Sequence, residues 1–195
     1  AENDKVSGVG DGKFNPDGTV TRAEFLKMAM DSFGIVGHAY RDGECLDATN
    51  DDWYCYYLQG ALDKDIIPKE MIENCDFTNV TKTLKESTEK EKAVRANVNV
   101  YTGKFYGDKP ITREEMAVIA TRCKNYKMRN WRDWDNERRY PIFSFKDSDE
   151  IDEKYISYVV EAYDLNYIDG MEDGRFAPKE NLTRAQAAVV MNNLK

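Results

Sequence analysis

The chain has 195 residues, of which 41% are hydrophobic and 33% charged, and its net charge is −8. This composition is sufficient for one domain, or for a few small repeats that share a core. The negative charge disfavours generic nucleic-acid binding through a basic surface. Because the sequence contains no run of about 18 apolar residues, it predicts no membrane-spanning helix.

The first segment, 1–40, contains a turn at Asp11-Gly12 followed by a helix that begins after Thr21. An Asp-Gly pair tolerates positive φ, so it suits a tight turn before a helix. The opening Ala-Glu-Asn-Asp-Lys fits either the mature start of an exported protein or an arbitrary boundary, and we infer export from it.

The second segment, 41–128, begins with an amphipathic pattern at Trp53, Tyr57, Leu58, Ala61 and Leu62. This spacing predicts a helix. An insertion at about 68–103 follows, and its polar stretch 81–91 is interpreted as a solvated helix or a mobile excursion. A second helix is predicted after Thr112.

A linker or excursion at 129–144 contains Trp131 and Trp134 among several arginines. The third segment, 145–195, repeats the whole pattern. It has a predicted helix near 156–163, a turn at Asp173-Gly174 and a second helix after Thr183. The unit is therefore a helix, a glycine-containing loop and a capped helix, and we predict one mainly helical unit overall.

One motif occurs three times, always at the start of an apolar-periodic run. A hydrophobic residue is followed by Thr-Arg and, two residues later, by Glu or Gln, at 20–25, 111–116 and 182–187. Thr is a good N-cap, and Glu or Gln three residues after it closes a capping box. This predicts structural roles for the pairs Thr21 with Glu24, Thr112 with Glu115, and Thr183 with Gln186.

Capping does not explain the arginine in each copy. Arg22, Arg113 and Arg184 occupy the first helical position, where the helix dipole disfavours a cation by roughly 0.3–1 kcal/mol. We infer that these three arginines lie against negative groups. This makes them the main candidates for a binding site.

This combination of motifs resembles the S-layer homology domain family. The family's unit has Phe-x-Asp, a Trp-Ala helix, a Gly-Ile-Ile-x-Gly turn, Asp-Gly-x-Phe-x-Pro and Ile-Thr-Arg-Ala-Glu-Phe. The third segment matches from Phe145 to about Met191, the first from Gly10 onward, and the second at Trp53, at Ile66-Ile67 and over 103–117. The first copy lacks its opening helix and the second carries the insertion.

The resemblance implies a pseudo-threefold, three-pronged helical bundle with grooves between the prongs. It also implies non-covalent attachment of an exported bacterial protein, such as an S-layer protein, to secondary cell-wall polysaccharide that often bears pyruvyl ketals. Arg22, Arg113 and Arg184 would then contact the anionic sugar. Trp53, Trp131 and Trp134 are candidate platforms for sugar stacking, and other copies of a surface-layer protein are further candidate partners.

Other functions compete with anchoring. A protein-binding or adhesin surface is the main alternative. A calcium site is a weaker one, because an EF-hand-like loop begins at Lys13, where the calcium motif needs an aspartate. No Gly-x-Ser-x-Gly or phosphate loop occurs, and the single His38 has no evident nucleophile partner, so we predict no catalysis, with glycan hydrolysis the residual enzyme interpretation.

The cysteines do not predict a metal site. Cys45, Cys55, Cys75 and Cys123 contain no Cys-x-x-Cys pair, and there is only one histidine, so we predict neither zinc nor a cofactor. An even number of cysteines allows two disulfides in an exported protein. Buried free thiols are the alternative, and the sequence leaves both open.

Overall fold

The structure, a computed structural model, describes residues 15–37, 45–85, 93–128 and 144–194. Contacts divide the chain into two compact units. Unit 1 comprises 1–35 with 108–195, and unit 2 comprises 36–107. The described elements are α1 (Arg22–Ser32), α2 (Cys55–Asp63), β1 (Glu73–Lys85), β2 (Ala93–Lys104), α3 (Arg113–Met128), α4 (Ile156–Asp164) and α5 (Arg184–Asn193). The mainly helical fold class is confirmed.

The three motif copies meet at the centre of unit 1 in a closed ring of backbone hydrogen bonds. The N–H of Val20 donates to the carbonyl of Leu182 over 3.0 Å, that of Leu182 to Ile111 over 2.9 Å, and that of Ile111 to Val20 over 2.9 Å. All three side chains are buried. Each copy thus donates to one neighbour and accepts from the other, which is a pseudo-threefold arrangement.

The capping boxes form as predicted. Thr21 and Thr183 each accept the backbone N–H of their Glu24 or Gln186 partner, and each partner's side chain accepts the N–H of its threonine. At the second copy, Thr112 and Glu115 make the same reciprocal pair, with N···O distances of 3.2 and 3.4 Å. These boxes satisfy backbone donors that the first helical turn leaves unpaired.

The predicted opening helices are present as α4 in unit 1 and α2 in unit 2. Trp53 precedes α2, which begins at Cys55. Both helices end with a residue of left-handed conformation, Asp65 (φ 54°) and Asn166 (φ 56°). Asn and Asp tolerate this conformation better than most residues, so these positions end the two helices in the same way.

The interpretation of the polar stretch 81–91 as a solvated helix or a mobile excursion is wrong for its described part, 81–85, which belongs to β1. In unit 2, β1 and β2 pair antiparallel, from Glu73 opposite Lys104 to Lys85 opposite Ala93. Val94, Ala96, Val98 and Val100 alternate with polar residues in the sequence. This period of two favours a strand over a helix, and the high polarity of 81–91 concealed it.

The four cysteines are free thiols, three of them buried. Burial raises the pKa of the Cys123 thiol, so this group stays protonated and behaves as a small apolar side chain. None of the helices in the described ranges is both long and apolar enough to cross a membrane.

Candidate functional site: the Arg113 cavity

Arg22 forms a buried ion pair with the capping-box residue of the next copy. Its Nε donates to Oε2 of Glu115 over 3.1 Å and its Nη2 donates to Oε1 of the same carboxylate. The two side chains are each only 8% exposed. Since Oε2 of Glu115 also accepts the Thr112 N–H, this carboxylate both caps α3 and neutralises Arg22.

Arg113 occupies the equivalent position at the start of α3, but among the described residues it has no carboxylate partner. Its Nε donates to the carbonyl of Phe176 over 2.7 Å and its Nη2 to the carbonyl of Asp169 over 2.9 Å. The guanidinium carbon lies 5.1 Å from the centroid of the Phe176 ring, in cation–π contact. No hydrogen bond from Nη1 reaches any described residue.

The difference arises at the capping-box residue of the third copy, which is Gln186. Its Oε1 accepts the Thr183 N–H over 3.0 Å, which completes the box as Glu115 does in the second copy. The remaining group on the Gln186 side chain is Nε2, a donor, and within the described ranges it has no hydrogen-bond partner. An amide cannot neutralise a guanidinium, so Gln186 leaves Arg113 with its full charge and, in the part of the chain that the structure describes, no acidic partner replaces it.

Arg113 and Gln186 line the same cavity, whose volume is about 190 Å³. The other polar or backbone parts of the lining come from Asp169, Gly170 and Asn193. The remaining lining side chains are mostly apolar: Met116, Tyr167, Ile168, Met171, Val189 and Val190. The cavity therefore combines an apolar wall with two donors that find no acceptor among the described residues, an arrangement suited to a small anion-bearing group.

Burial lowers the pKa of Arg113, while the carboxylates of Glu180, Asp147 and Asp169 act in the opposite direction. The guanidinium pKa starts so high that the group remains protonated. With 6% of the residue exposed, this cation is largely removed from water. A buried cation held by carbonyl dipoles and an aromatic ring gains more from an incoming anion than one already paired with a carboxylate.

Asp147 holds the turn that contacts Arg113, and it was not among the predicted site residues. Its two carboxylate oxygens accept the N–H groups of Phe176 and Ala177, each over 2.7 Å. Ala177 has the left-handed φ of 57°, so the carboxylate holds a turn that an alanine seldom adopts alone. Phe176 in turn provides the carbonyl and the ring that hold Arg113.

The signal for Asp147 was present in the Phe-x-Asp motif at 145–147, and Asp47 occupies the equivalent position after Cys45 and Leu46 in the second copy. In unit 2, Asp47 accepts the N–H groups of Phe105 and Tyr106 over 2.7 and 2.8 Å. Tyr106 has a φ of 55°, like Ala177. Equivalent carboxylates, Asp47 and Asp147, thus hold the same kind of turn in the two units. Each does so through two backbone hydrogen bonds to one side chain.

The remaining predicted residues lie away from the cavity lining or outside the described ranges. Arg184 is half-buried, and its backbone N–H donates to Gly18 over 2.8 Å. Trp53 belongs to unit 2, is 46% exposed and packs edge-on against Tyr54 at 5.6 Å. Asp11, Gly12, Trp131 and Trp134 fall outside the described residues.

Asp173 and Gly174 form an exposed turn in the third copy, as predicted. Gly174 adopts a φ of 84°, where glycine is favoured. Asp173 pairs with Arg175 over 2.8 Å, and hydrogen bonds from Arg175 lower the pKa of the Asp173 carboxyl. Among the described side chains, no group of three or more His, Cys, Asp or Glu is arranged to hold a metal ion.

Comparison with known sequences assigns the repeated unit. The profile of the S-layer homology domain matches residues 3–26, 98–117 and 144–188. These three segments are S-layer homology repeats. The matches include each Thr-Arg motif and, in the third segment, both Asp147 and Phe176. The assignment supports cell-wall anchoring as the role of this part of the chain.

Three relatives match over nearly the whole chain. The chain is 31% identical over 193 residues to exoglucanase XynX of Acetivibrio thermocellus, with 97% of the chain and 14% of that protein covered. It is 30% identical over 189 residues to an amylopullulanase of Thermoanaerobacterium thermosulfurigenes, with 97% and 8% covered. An endoglucanase of Bacillus sp. (strain KSM-635) is 28% identical over 193 residues, with 99% and 16% covered.

Proposed function

We propose that the chain is a non-catalytic anchoring module, which attaches an exported protein to the bacterial cell wall by binding an anionic secondary cell-wall polysaccharide. The observation that carries this proposal is the Arg113 cavity, which opens to solvent and is lined by a buried guanidinium that has no carboxylate partner among the described residues. The relatives carry enzyme names, but this chain spans only 8–16% of their lengths. Their catalysis is therefore assigned to the rest of those proteins.

The chemistry of the cavity favours a carboxylate that stands beside a methyl group, as in a pyruvyl ketal. Nη1 of Arg113 and Nε2 of Gln186 supply donors for the carboxylate, while Ile168, Val189 and Val190 supply apolar surface for the methyl group. A volume of about 190 Å³ lies below the roughly 300–1,000 Å³ of sites for whole small molecules. The cavity is thus suited to one substituent of a polymer whose sugar rings lie outside.

The energetics are consistent with a weak individual site. Each charge-assisted hydrogen bond contributes about 1.5–3 kcal/mol net, from which the cost of ordering the glycan is subtracted. The net charge of −8 repels an anionic polymer at long range. Screening over about 8 Å at physiological salt limits that repulsion. Several sites on a repeating polymer, or several copies of the module in a surface array, then gain avidity.

The other predicted contacts remain proposals, and we expect each to contribute less to glycan binding than Arg113. Arg22 already has the Glu115 carboxylate as a buried partner, so a glycan has less to gain there. Arg184 is half-buried. Trp53, Trp131 and Trp134 are proposed as stacking surfaces for sugar rings, and Trp53 has the exposure that such a contact needs.

The test is calorimetry and co-sedimentation with purified wall polymer, with and without its ketal groups. Arg113→Lys keeps the positive charge but loses the planar set of guanidinium donors, and Arg113→Met removes both the charge and the donors. Arg175→Gln is the matched control, because Arg175 is an exposed arginine in the third repeat that pairs with Asp173 and Glu180. We expect binding to weaken by roughly tenfold or more for both Arg113 variants and to stay unchanged for Arg175→Gln.

Two results would contradict the proposal. One is wild-type affinity in a folded Arg113→Lys protein, which would place the glycan elsewhere. The other is equal binding to polymer with and without ketal groups, which would remove the carboxylate from the recognition. Circular dichroism of each variant separates loss of binding from loss of fold.

A further inference from the structure

The three motif copies in unit 1 are placed in a fixed cyclic order. The N–H of Arg22 donates to Lys109 before the second copy, that of Arg113 to Glu180 before the third, and that of Arg184 to Gly18 before the first. Each arginine is therefore directed to the copy that follows it in the ring. The capping-box residue of the following copy pairs with the arginine in one case, Arg22 with Glu115, and lines the same cavity as the arginine in another, Arg113 with Gln186.

This order makes Glu115 and Gln186 equivalent positions with opposite consequences. Both use one side-chain oxygen to accept the N–H of their N-cap threonine, over 3.2 Å from Thr112 and 3.0 Å from Thr183. The second terminal atom differs. In Glu115 it is Oε1, which accepts from Nη2 of Arg22. In Gln186 it is Nε2, which accepts nothing.

We infer that the capping-box residue selects which arginine is available to an external anion: Glu115 closes the Arg22 position, and Gln186 opens the Arg113 position. The choice between an acid and an amide at this position leaves helix initiation intact, because Glu and Gln both complete the box. It changes only the charge presented to the arginine of the preceding copy. This inference rests on the proposed function for the identity of its biological ligand. The selection itself would apply to any small carboxylate.

The first test is Gln186→Glu, read out with sodium pyruvate against sodium chloride at matched ionic strength. The new carboxylate would neutralise Arg113 from inside while keeping the cap. We expect the pyruvate-dependent rise in melting temperature to be lost, with affinity roughly tenfold or more weaker. We also expect a higher melting temperature than wild type without pyruvate, because the buried cation gains a partner. A merely steric role for Gln186 would not raise it.

The reciprocal test is Glu115→Gln, which removes the internal partner of Arg22. We expect lower stability in chloride and recovery of part of it in pyruvate, as the added anion replaces the lost carboxylate. Glu24→Gln is the matched control, since Glu24 closes the box with Thr21 and accepts no arginine hydrogen bond in the described structure. It changes the same atoms of the cap, so its effect on melting temperature should be small and independent of pyruvate.

The outcomes separate the inference from the proposed function. If Gln186→Glu retains the pyruvate response, or if the wild-type protein shows none, the inference is overturned. If the wild type responds to pyruvate and Gln186→Glu does not, the inference holds even where neither protein sediments with wall polymer, and only the proposed function fails. Should Glu115→Gln not fold in chloride or in pyruvate, the result counts against anion replacement at Arg22, and Gln186→Glu alone decides the assignment at Arg113.

Discussion

Replacing Asp147 offers the sharpest test of how the third repeat holds Arg113. In Asp147→Asn, one oxygen is replaced by an NH₂ group that faces a backbone N–H, so only one of the two 2.7 Å hydrogen bonds can persist. The residue is buried, with 6% exposed. Losing one charge-assisted bond and leaving a buried donor unpaired should cost about 2–4 kcal/mol of unfolding free energy.

The loss should reach the cavity as well, because Phe176 holds Arg113 through its carbonyl and its ring. We expect faster hydrogen exchange of the Phe176 and Ala177 amides, and weaker polymer binding. Asp47→Asn is the matched control in unit 2, where the same carboxylate geometry holds Phe105. It should destabilise its own unit by a similar amount.

Amide exchange followed by NMR and calorimetric binding provide independent readouts. The expected pattern is loss of protection in both variants but loss of polymer affinity only in Asp147→Asn. Unchanged exchange at Phe176 would refute the role of the carboxylate in holding the turn. Faster exchange with wild-type affinity would show that Phe176 does not position Arg113 for the ligand.

Three further predictions concern stability. Glu115→Ala should lower the unfolding free energy by about 3–5 kcal/mol, because it leaves the Arg22 charge buried without its carboxylate partner. The double variant Arg22→Met with Glu115→Ala should lose less than the sum of the two single changes. Additive losses in a urea double-mutant cycle would rule out the coupling. Burial raises the pKa of Glu114 above its ordinary 4.5 despite opposing hydrogen bonds, so the native state binds this proton more tightly and stability falls as pH rises from below 4.5 through the raised value. Glu114→Gln should remove that fall, and parallel stability–pH curves for the two proteins would contradict the assignment. Thr21→Ala and Thr183→Ala should each cost about 1 kcal/mol in urea unfolding without changing polymer affinity, and a selective loss of affinity at unchanged stability would count against a capping role.

Local physics made much of the fold predictable from the sequence. The capping boxes at Thr21 and Thr183 depend on residues three positions apart, so their signal lies in a few letters of sequence. The same holds for α4, whose apolar spacing follows the helical period. The hairpin of β1 and β2 was missed because the polar stretch 81–91 interrupts the apolar pattern between its strands, and strand pairing joins residues that are not neighbours in the chain.

The choice among the arginines, by contrast, depended on tertiary structure. Arg22, Arg113 and Arg184 occupy identical local motifs, and all carry the same unfavourable interaction with the helix dipole. Their environments differ because the partner comes from another copy: Glu115 is 93 positions from Arg22, and Gln186 lines the cavity with Arg113. Electrostatic pairing depends on distance in space, so the three copies became distinguishable only when the ring of backbone hydrogen bonds set which helix start lies beside which arginine.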